Sequence, residues 1–370
     1  MTINVNDCFF YIKNGANIKQ GVISGGIPIT RIETLANDTF NRDKMGYAGI
    51  HDKKKYTEYI LQDGDILMSH INSMAYLGRA VMYKMQKNEC IIHGMNLLRL
   101  KANRNFILPE YAEYYFKSNT FKKYIKKIAK KSVNQASFSI ADLKSIPLFL
   151  PNMVEQKKIY NTLNRIDNII SLKNQQLKKL DLLTKSLFVK MFINENYTKK
   201  KLGECAIINP KKSSDKRLHD ELEVSFIPMM AVGENGQINV SKIKKFADVK
   251  NGFSYFSEGD VLFAKITPCM ENGKGAIASN LCNGIGFGST EFHVIRPIEN
   301  ITTSELIYVL TTLQKFRLSA EANMTGSAGQ KRVPASFLQD YSFYLPPIEL
   351  QKQFSRVFKH LDKHKFPLLD

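Results

Sequence analysis

A chain of 370 residues with 44% hydrophobic side chains is long enough for two cores, and no part of it reads as disordered. Lys and Arg outnumber Asp and Glu by 19, giving a pI near 9.5, a balance that favours a polyanionic partner. Polar Asn4, Asn6 and Asp7 stand where a secretory leader needs an apolar core, and no apolar run approaches the ~20 residues of a membrane span, so the expectation is a cytoplasmic protein without a membrane partner.

Along the chain, short apolar runs broken by Gly, Asn and Asp come first. Gly25-Gly26-Ile27-Pro28-Ile29 has the texture of short strands joined by turns. Asp63-Gly64-Asp65 is hairpin-turn chemistry leading into a strand from Ile66 to Met68. The next loop offers the hydrogen-bonding side chains Ser69, His70, Asn72, Ser73 and Arg79. A helix is expected over residues 109 to about 131, with Tyr114, Ser118, Phe121, Ile125 and Ile128 on one face. Lys122, Lys123, Lys126, Lys127, Lys130 and Lys131 fall largely on the other face, enough cations to neutralise several phosphates or simply to form a solvated surface. Asn134 and Gln135 follow the helix. Such amides can grip adenine bidentately, and they also stabilise loops.

Pro151 marks the entry to a run without Pro or Gly from Met153 to Phe192. Ile159, Leu163, Ile166, Ile170, Leu177, Leu180, Leu187 and Met191 alternate at fours and threes, interrupted only by Lys173 and Thr184 at two seam positions. This is coiled-coil patterning. Forty helical residues extend ~60 Å, and a seam of that length needs another helix against it. A second, shorter amphipathic run after Pro346-Pro347 supplies Phe354, Val357 or Phe358, and Leu361.

Between the two helical runs lies a second head. Val224-Ser225-Phe226-Ile227-Pro228-Met229 suggests strands, and Glu258-Gly259-Asp260 leads into a strand from Val261 to Ala264. The loop beyond carries Lys265, Thr267, Glu271, Asn272 and Lys274. A helix is expected over residues 303 to about 321, and Gln330, Lys331 and Arg332 follow it. Arg and Lys can grip guanine as Gln can grip adenine.

The two heads repeat one another. Gly64-Asp65, Gln135, Leu150-Pro151, Gln156-Lys157 and Asp167 recur 195 residues later as Gly259-Asp260, Gln330, Leu345-Pro346, Gln351-Lys352 and Asp362. Upstream the offset loosens, with Asp7-Cys8 answering Glu204-Cys205 at 197. The scaffold agrees while the polar loops differ, as two readers of different sequences require. Charge differs too: residues 1–150 hold 22 basic and 12 acidic side chains, residues 198–345 hold 18 and 15.

Enzymatic constellations are missing. There is no Gly-x-Gly-x-x-Gly and no Gly-x-x-x-x-Gly-Lys-Ser/Thr, and Asn209-Pro210 is followed by Lys211 rather than by the second Pro and aromatic of an amino-methylating site. The five cysteines are scattered without Cys-x-x-Cys, and His360 with His364 has no third ligand arranged beside it.

The ordered duplication resembles the specificity subunits of type I restriction-modification enzymes. It is carried by Leu150-Pro151 with Glu155-Gln156-Lys157-Lys158-Ile159, by Ile166-Asp167, by Leu345-Pro346-Pro347 with Gln351, and by Gly329-Gln330-Lys331-Arg332-Val333. The resemblance implies an α+β fold: two repeated α/β target-recognition domains, residues 1–150 and 198–345, separated by long helices, residues 151–197 and 346–370, that pair as an antiparallel coiled coil with pseudo-twofold symmetry. Each domain would read half of a bipartite, asymmetric double-stranded DNA site through residues such as Asn72, Arg79, Lys122, Gln135, Lys265, Thr267, Asn272, Lys274 and Gln330. The helices, through Ile159, Leu163, Ile166, Ile170, Leu177, Leu180, Leu187, Phe354, Phe358 and Leu361, would set the spacing and dock two methyltransferase subunits. Those subunits would bring S-adenosylmethionine and modify adenine N6. Restriction subunits using ATP and Mg2+ would join for cleavage, and this chain would hold no cofactor and no metal and catalyse nothing. The shortness of the second helix departs from the family pattern. The alternative is a two-headed nucleic-acid-binding scaffold or regulator outside restriction-modification.

Overall fold

The computed structural model describes residues 2–21, 25–133, 135–193, 196–327 and 329–365. They form two compact units, residues 1–171 and 172–370, divided within the helix Met153–Phe192.

Unit 1 is built on an antiparallel sheet ordered Phe9–Asn14, Leu97–Ala102, Ile66–Ser69, Ala80–Met82. In its inner strand Ile66–Ser69, Ile66, Leu67 and Met68 are consecutive apolar residues because both faces are covered. Ile66, Met68, Leu98 and Leu100 point into one core with Phe116 and Phe121, whereas Leu67 and Val81 point into another with Leu35 and Tyr83. Unit 2 repeats the sheet as Ala206–Ile208, Phe292–Pro297, Val261–Ala264, Gly275–Ile277. The register is repeated too: Ile66 pairs with Leu100 and Met82, and Val261 with Ile295 and Ile277, each partner 195 residues on. In both units a terminal strand pair closes the chain upon itself, Thr2–Asn4 with Pro147–Phe149 and Thr198–Lys201 with Ser342–Leu345.

The acidic turns carry more than turn geometry. Gly64 and Gly259 take φ of 79° and 84°, conformations that glycine adopts without strain. Asp65 then accepts from the Gln62 amide at 2.7 Å and Asp260 from the Ser257 amide at 2.8 Å. Both carboxylates are buried and paired, Asp65 with Arg99 at 2.8 Å and Asp260 with Arg296 at 2.7 Å. Hydrogen bonding to Asp260 raises the Arg296 pKa further.

Three expectations need correction. The helix expected over 109 to about 131 is two helices, Pro109–Lys117 and Asn119–Ile128, broken at Ser118, whose ψ of 152° is extended and whose hydroxyl caps the second helix through the Phe121 amide. The break turns Phe121 onto Phe116, with ring centroids 4.6 Å apart. Unit 2 breaks at the matching Leu313, between Ser304–Thr312 and Gln314–Ala322. The second helix ends at Ile128 with Ala129 extended, so Lys130 and Lys131 lie outside it in a strand paired with Ala136–Ser137. Second, Glu223–Ile227 is a strand in a four-stranded sheet of unit 2, but among the described residues of its counterpart only Ile29 bridges, to Gly46 and Ile92, because Gly25 and Gly26 take φ of 85° and 84° ahead of Pro28.

The third correction concerns the seam. In unit 2 the long helix meets the helix Ile348–Lys365 through Phe188 and Phe192, whose rings lie 5.7 and 5.0 Å from Phe354, with Thr184 buried alongside and Leu187 and Met191 partly buried. Phe192 meets Phe354, whereas Asp181 and Asp362 both act on the Tyr308 hydroxyl, so the pairing is antiparallel. Leu177, Leu180 and Leu361 are half-buried, but Ile159, Leu163, Ile166 and Ile170 are exposed. An 18-residue helix reaches about 27 Å, less than half of what the seam offers.

Candidate nucleic-acid interface

Each unit joins its head to the helix that follows it, Met153–Phe192 or Ile348–Lys365, through one buried glutamine. Gln156 donates to the carbonyls of Phe106 and Pro151 at 2.7 and 2.9 Å and accepts from the Leu108 amide at 2.9 Å. Gln351 donates to Ile301 and Pro346 at 3.0 and 2.8 Å and accepts from Thr303 at 3.1 Å. Every partner is displaced by 195 residues. The clamp satisfies loop groups that would otherwise be buried without partners, and it sets where the helix leaves the head. Asn152 and Glu155 cap the long helix reciprocally. The Tyr114 hydroxyl donates to Asp167 at 2.7 Å, holding a second point along the helix.

Above this frame, unit 1 presents a cleft of about 440 Å³ lined by Arg79, Lys117, Lys122, Lys123 and Lys126, with Asp38 facing them. Gly78 seats the cleft's loop against the helix Asn119–Ile128. Its φ is 76°, and a Cβ there would lie 2.8 Å from Ile125 Cγ1. The four lysines of this helix, Lys122, Lys123, Lys126 and Lys127, are exposed, as are Lys130 and Lys131 on the strand that follows. Of these, Lys122, Lys123 and Lys126 line the cleft, and exposed ammonium groups set side by side can meet successive phosphates. Arg79 is less free: Nε lies 2.8 Å from Asp38, Nη1 donates to the Leu35 carbonyl at 3.1 Å, and the guanidinium stacks 4.5 Å above the Tyr76 ring. Asn72 donates to Ser69 Oγ at 3.2 Å and accepts from the Ser73 amide.

Strands Ile71–Asn72, Ala136–Ser137 and Lys130–Lys131 pair in that order, so Asn72, Lys130, Lys131 and Gln135 belong to one small sheet and its turn. Asn134 lies outside the described residues. Unit 2 keeps the arrangement as bridges from Arg332 to Ile266 and Thr325. Lys265, Thr267, Lys331 and Arg332 gather around them, with the Thr267 amide donating to the Lys331 carbonyl at 3.0 Å and the Val333 amide to that of Lys265 at 2.9 Å. Two of these side chains are engaged. Arg332 is paired with Glu291 at 2.8 Å, which holds the Glu291 carboxyl below its ordinary pKa, and Thr267 donates to Glu271 at 2.8 Å. Gln330, Lys331 and Asn272 are exposed, and Lys274 Nζ lies 3.5 Å from the Met229 carbonyl.

Sequence reasoning missed a basic and aromatic surface on the second sheet of unit 2. Lys242 and Lys244 lie 5.2 and 4.3 Å from the Phe226 ring, which meets Phe253 edge-on at 5.0 Å. The alternation from Lys242 to Lys244 was the available signal. Arg317, which the sequence offers with Lys315 as the remaining charges of the second-head helix, is half-buried instead: its guanidinium donates to the carbonyls of Thr311 and Met270 at 2.6 Å, and burial lowers its pKa to about 10. This cation fixes the 270–273 loop rather than offering charge outward. Asn209 likewise serves the frame, accepting from the Val294 amide and contacting His293. No group of three or more His, Cys, Asp or Glu able to hold a metal is present among the described residues, nor is any helix long and apolar enough to cross a membrane.

Comparison with known proteins accounts for the duplicated frame. A protein of Methanocaldococcus jannaschii, described as the MjaX type I restriction enzyme specificity subunit, is 37% identical over 54% of this chain and 48% of its own length. The EcoAI type I restriction enzyme specificity subunit of Escherichia coli is 44% identical over 43% of this chain and 27% of its own length. The chain thus spans half or less of these relatives. The crystal structure of the type I restriction-modification S subunit from M. genitalium matches in fold, with a TM-score of 0.58 at 15% identity, covering 99% of this chain and 90% of that one. The family described as the type I restriction modification DNA specificity domain matches twice, over residues 4–182 and 194–369, and the chain belongs to it.

Proposed function

We propose that this chain is the DNA-reading subunit of a type I restriction-modification enzyme, with residues 1–150 and 198–345 each recognising one half of a bipartite, asymmetric duplex site. The observation that carries the reading is the single frame, repeated register for register, bearing different polar loops: Asn72 and Arg79 in one unit, Thr267, Asn272 and Lys274 in the other. A frame held constant by buried ion pairs and glutamine clamps orients loops reproducibly, and loops that differ read different bases. Lys122, Lys123, Lys126, Lys127, Lys130 and Lys131 supply phosphate contacts in unit 1, where the excess charge lies. Gln135 and Gln330 serve at the hairpin turns, while Lys265 and Lys331 add cations in unit 2. Arg332 reaches a base only by leaving Glu291.

The exposed Ile159, Leu163, Ile166 and Ile170 face of the long helix is the docking surface for two methyltransferase subunits. Those subunits hold S-adenosylmethionine and transfer its methyl group to adenine N6. Restriction subunits with ATP and Mg2+ complete a nuclease, and the assembly works in the cytoplasm, where it meets DNA. The test is to incubate the purified chain with duplex DNA and labelled S-adenosylmethionine, with and without the methyltransferase encoded beside it. DNA binding without label transfer, converted to transfer when the partner is added, supports the reading. Label transfer by the chain alone contradicts it.

A further inference from the structure

The small sheet of unit 1 ends in a feature that phosphate binding does not explain. Lys130 pairs with Ser137 and Lys131 with Ala136, and the Ser132 amide and hydroxyl both donate to the Gln135 carbonyl, at 2.7 and 3.0 Å. The Phe138 amide, donating to the His70 carbonyl at 3.2 Å, ties the base of this hairpin to the main frame. Val133 stands at the tip and is 99% exposed, more than any other large apolar side chain among the described residues. Its described chain neighbours Lys131, Ser132 and Gln135 are polar and exposed, so among the described residues of this hairpin tip it stands as a single apolar group rather than as part of a patch.

Resting on the reading of the chain as a DNA-reading subunit, we infer that this hairpin enters the major groove and that Val133 reads the C5 methyl group of a thymine. The groove is about 12 Å wide and admits a two-stranded ribbon, and the thymine methyl is the one apolar group that base edges present there. Side chains that wedge between base pairs are chiefly longer or rigid ones, such as Phe, Leu, Ile, Met and Pro. Val is too short to unstack a step and long enough to cover a methyl. Lys130 and Lys131, at the base of the tip, then meet the phosphates bordering the groove. Unit 2 keeps the hairpin frame through Thr325 and Arg332 but carries Ser327 and Gly329 around its tip. The methyl contact therefore belongs to the half-site of unit 1 alone.

The test starts by selecting bound duplexes from a randomised pool with the full chain in the assembly in which it purifies, and then replaces each thymine of the unit 1 half-site by uracil. Burying one methyl group is worth roughly four-fold in affinity. The expected result is one thymine whose replacement weakens binding by about that factor, and a Val133→Ala variant that binds the unmodified site about four-fold more weakly and no longer distinguishes thymine from uracil there. Non-specific affinity stays unchanged, and because Val133 is exposed the variant folds as the parent does. A variant that keeps the discrimination, a half-site without thymine, or a loss equal for every sequence overturns the inference while leaving the DNA-reading function intact. Selection that enriches no sequence at all overturns both.

Discussion

At the scale of single residues, side chains that look alike in sequence divide by what they touch. Lys122, Lys123 and Lys126 at the unit 1 cleft, and Lys130 on the following strand, are exposed, and the account gives them affinity without sequence choice. Changing Lys123, Lys126 and Lys130 together to Gln should weaken specific and non-specific DNA binding alike and flatten the slope of log affinity against log salt by about 2 to 3. The recognised motif should be unchanged. An unaltered slope in a salt titration would return these lysines to a solvated face. Glu89 is a different kind of charge. Arg42 hydrogen-bonds it through Nε and Nη2 at 2.8 and 2.6 Å, and the Gln86 amide and Tyr83 hydroxyl add two more bonds, so its pKa falls to about 2. A carboxyl depressed on folding contributes stability above its ordinary pKa of 4.5 and loses it as pH falls towards about 2. Arg42→Gln should therefore destabilise unit 1 at pH 7, and the difference from the parent should shrink below pH 4 in denaturant titrations. A difference independent of pH would mean that Arg42 acts through packing alone.

At the scale of elements, the glutamine clamps join head to helix. Gln351 is fully buried, and Gln351→Ala leaves two carbonyls and one amide without partners. At about 1–3 kcal/mol for each unsatisfied group, tempered by relaxation, unit 2 should lose about 2–4 kcal/mol in urea unfolding. A loss under about 0.5 kcal/mol would show that the loop finds other partners. The sequence displayed Gln156 and Gln351 as a repeated pair but gave no sign of the clamp, because each glutamine's partners are mostly backbone groups some 50 positions away. The strands at Ile66 and Val261 and the long helix were legible, since buried apolar runs and a three-four periodicity are local patterns, whereas residues 25–29 had the texture of a strand without forming one. The Ser118 break was not legible. Its neighbours keep helical periodicity, and what rewards the interruption is the packing of Phe121 on Phe116 together with the Ser118 cap. Nor was the end of the second helix at Ile128, which leaves Lys130 and Lys131 in the hairpin. Arg79 and Arg332 stand in the sequence as candidate DNA contacts, and only the fold brings Asp38 and Glu291 beside them.

The long helix connects elements to the whole molecule. Its first half exposes Ile159, Leu163, Ile166 and Ile170, an apolar stripe that a helix keeps in water only when something else covers it. Leu163→Asp with Ile166→Asp should abolish co-purification of a methyltransferase subunit while leaving DNA binding by the heads within about two-fold. Retained co-purification would remove the stripe from the docking surface.

For the molecule as a whole, the central claim is that two copies of one frame read two different half-sites independently. The most direct measurement is methylome sequencing of cells carrying the parent chain and cells carrying a hybrid in which residues 198–345 are exchanged for the matching region of a relative. The account predicts that one half of the methylated motif changes, while the other half and the spacing between them stay as they were. A motif in which both halves change, or neither does, would contradict it.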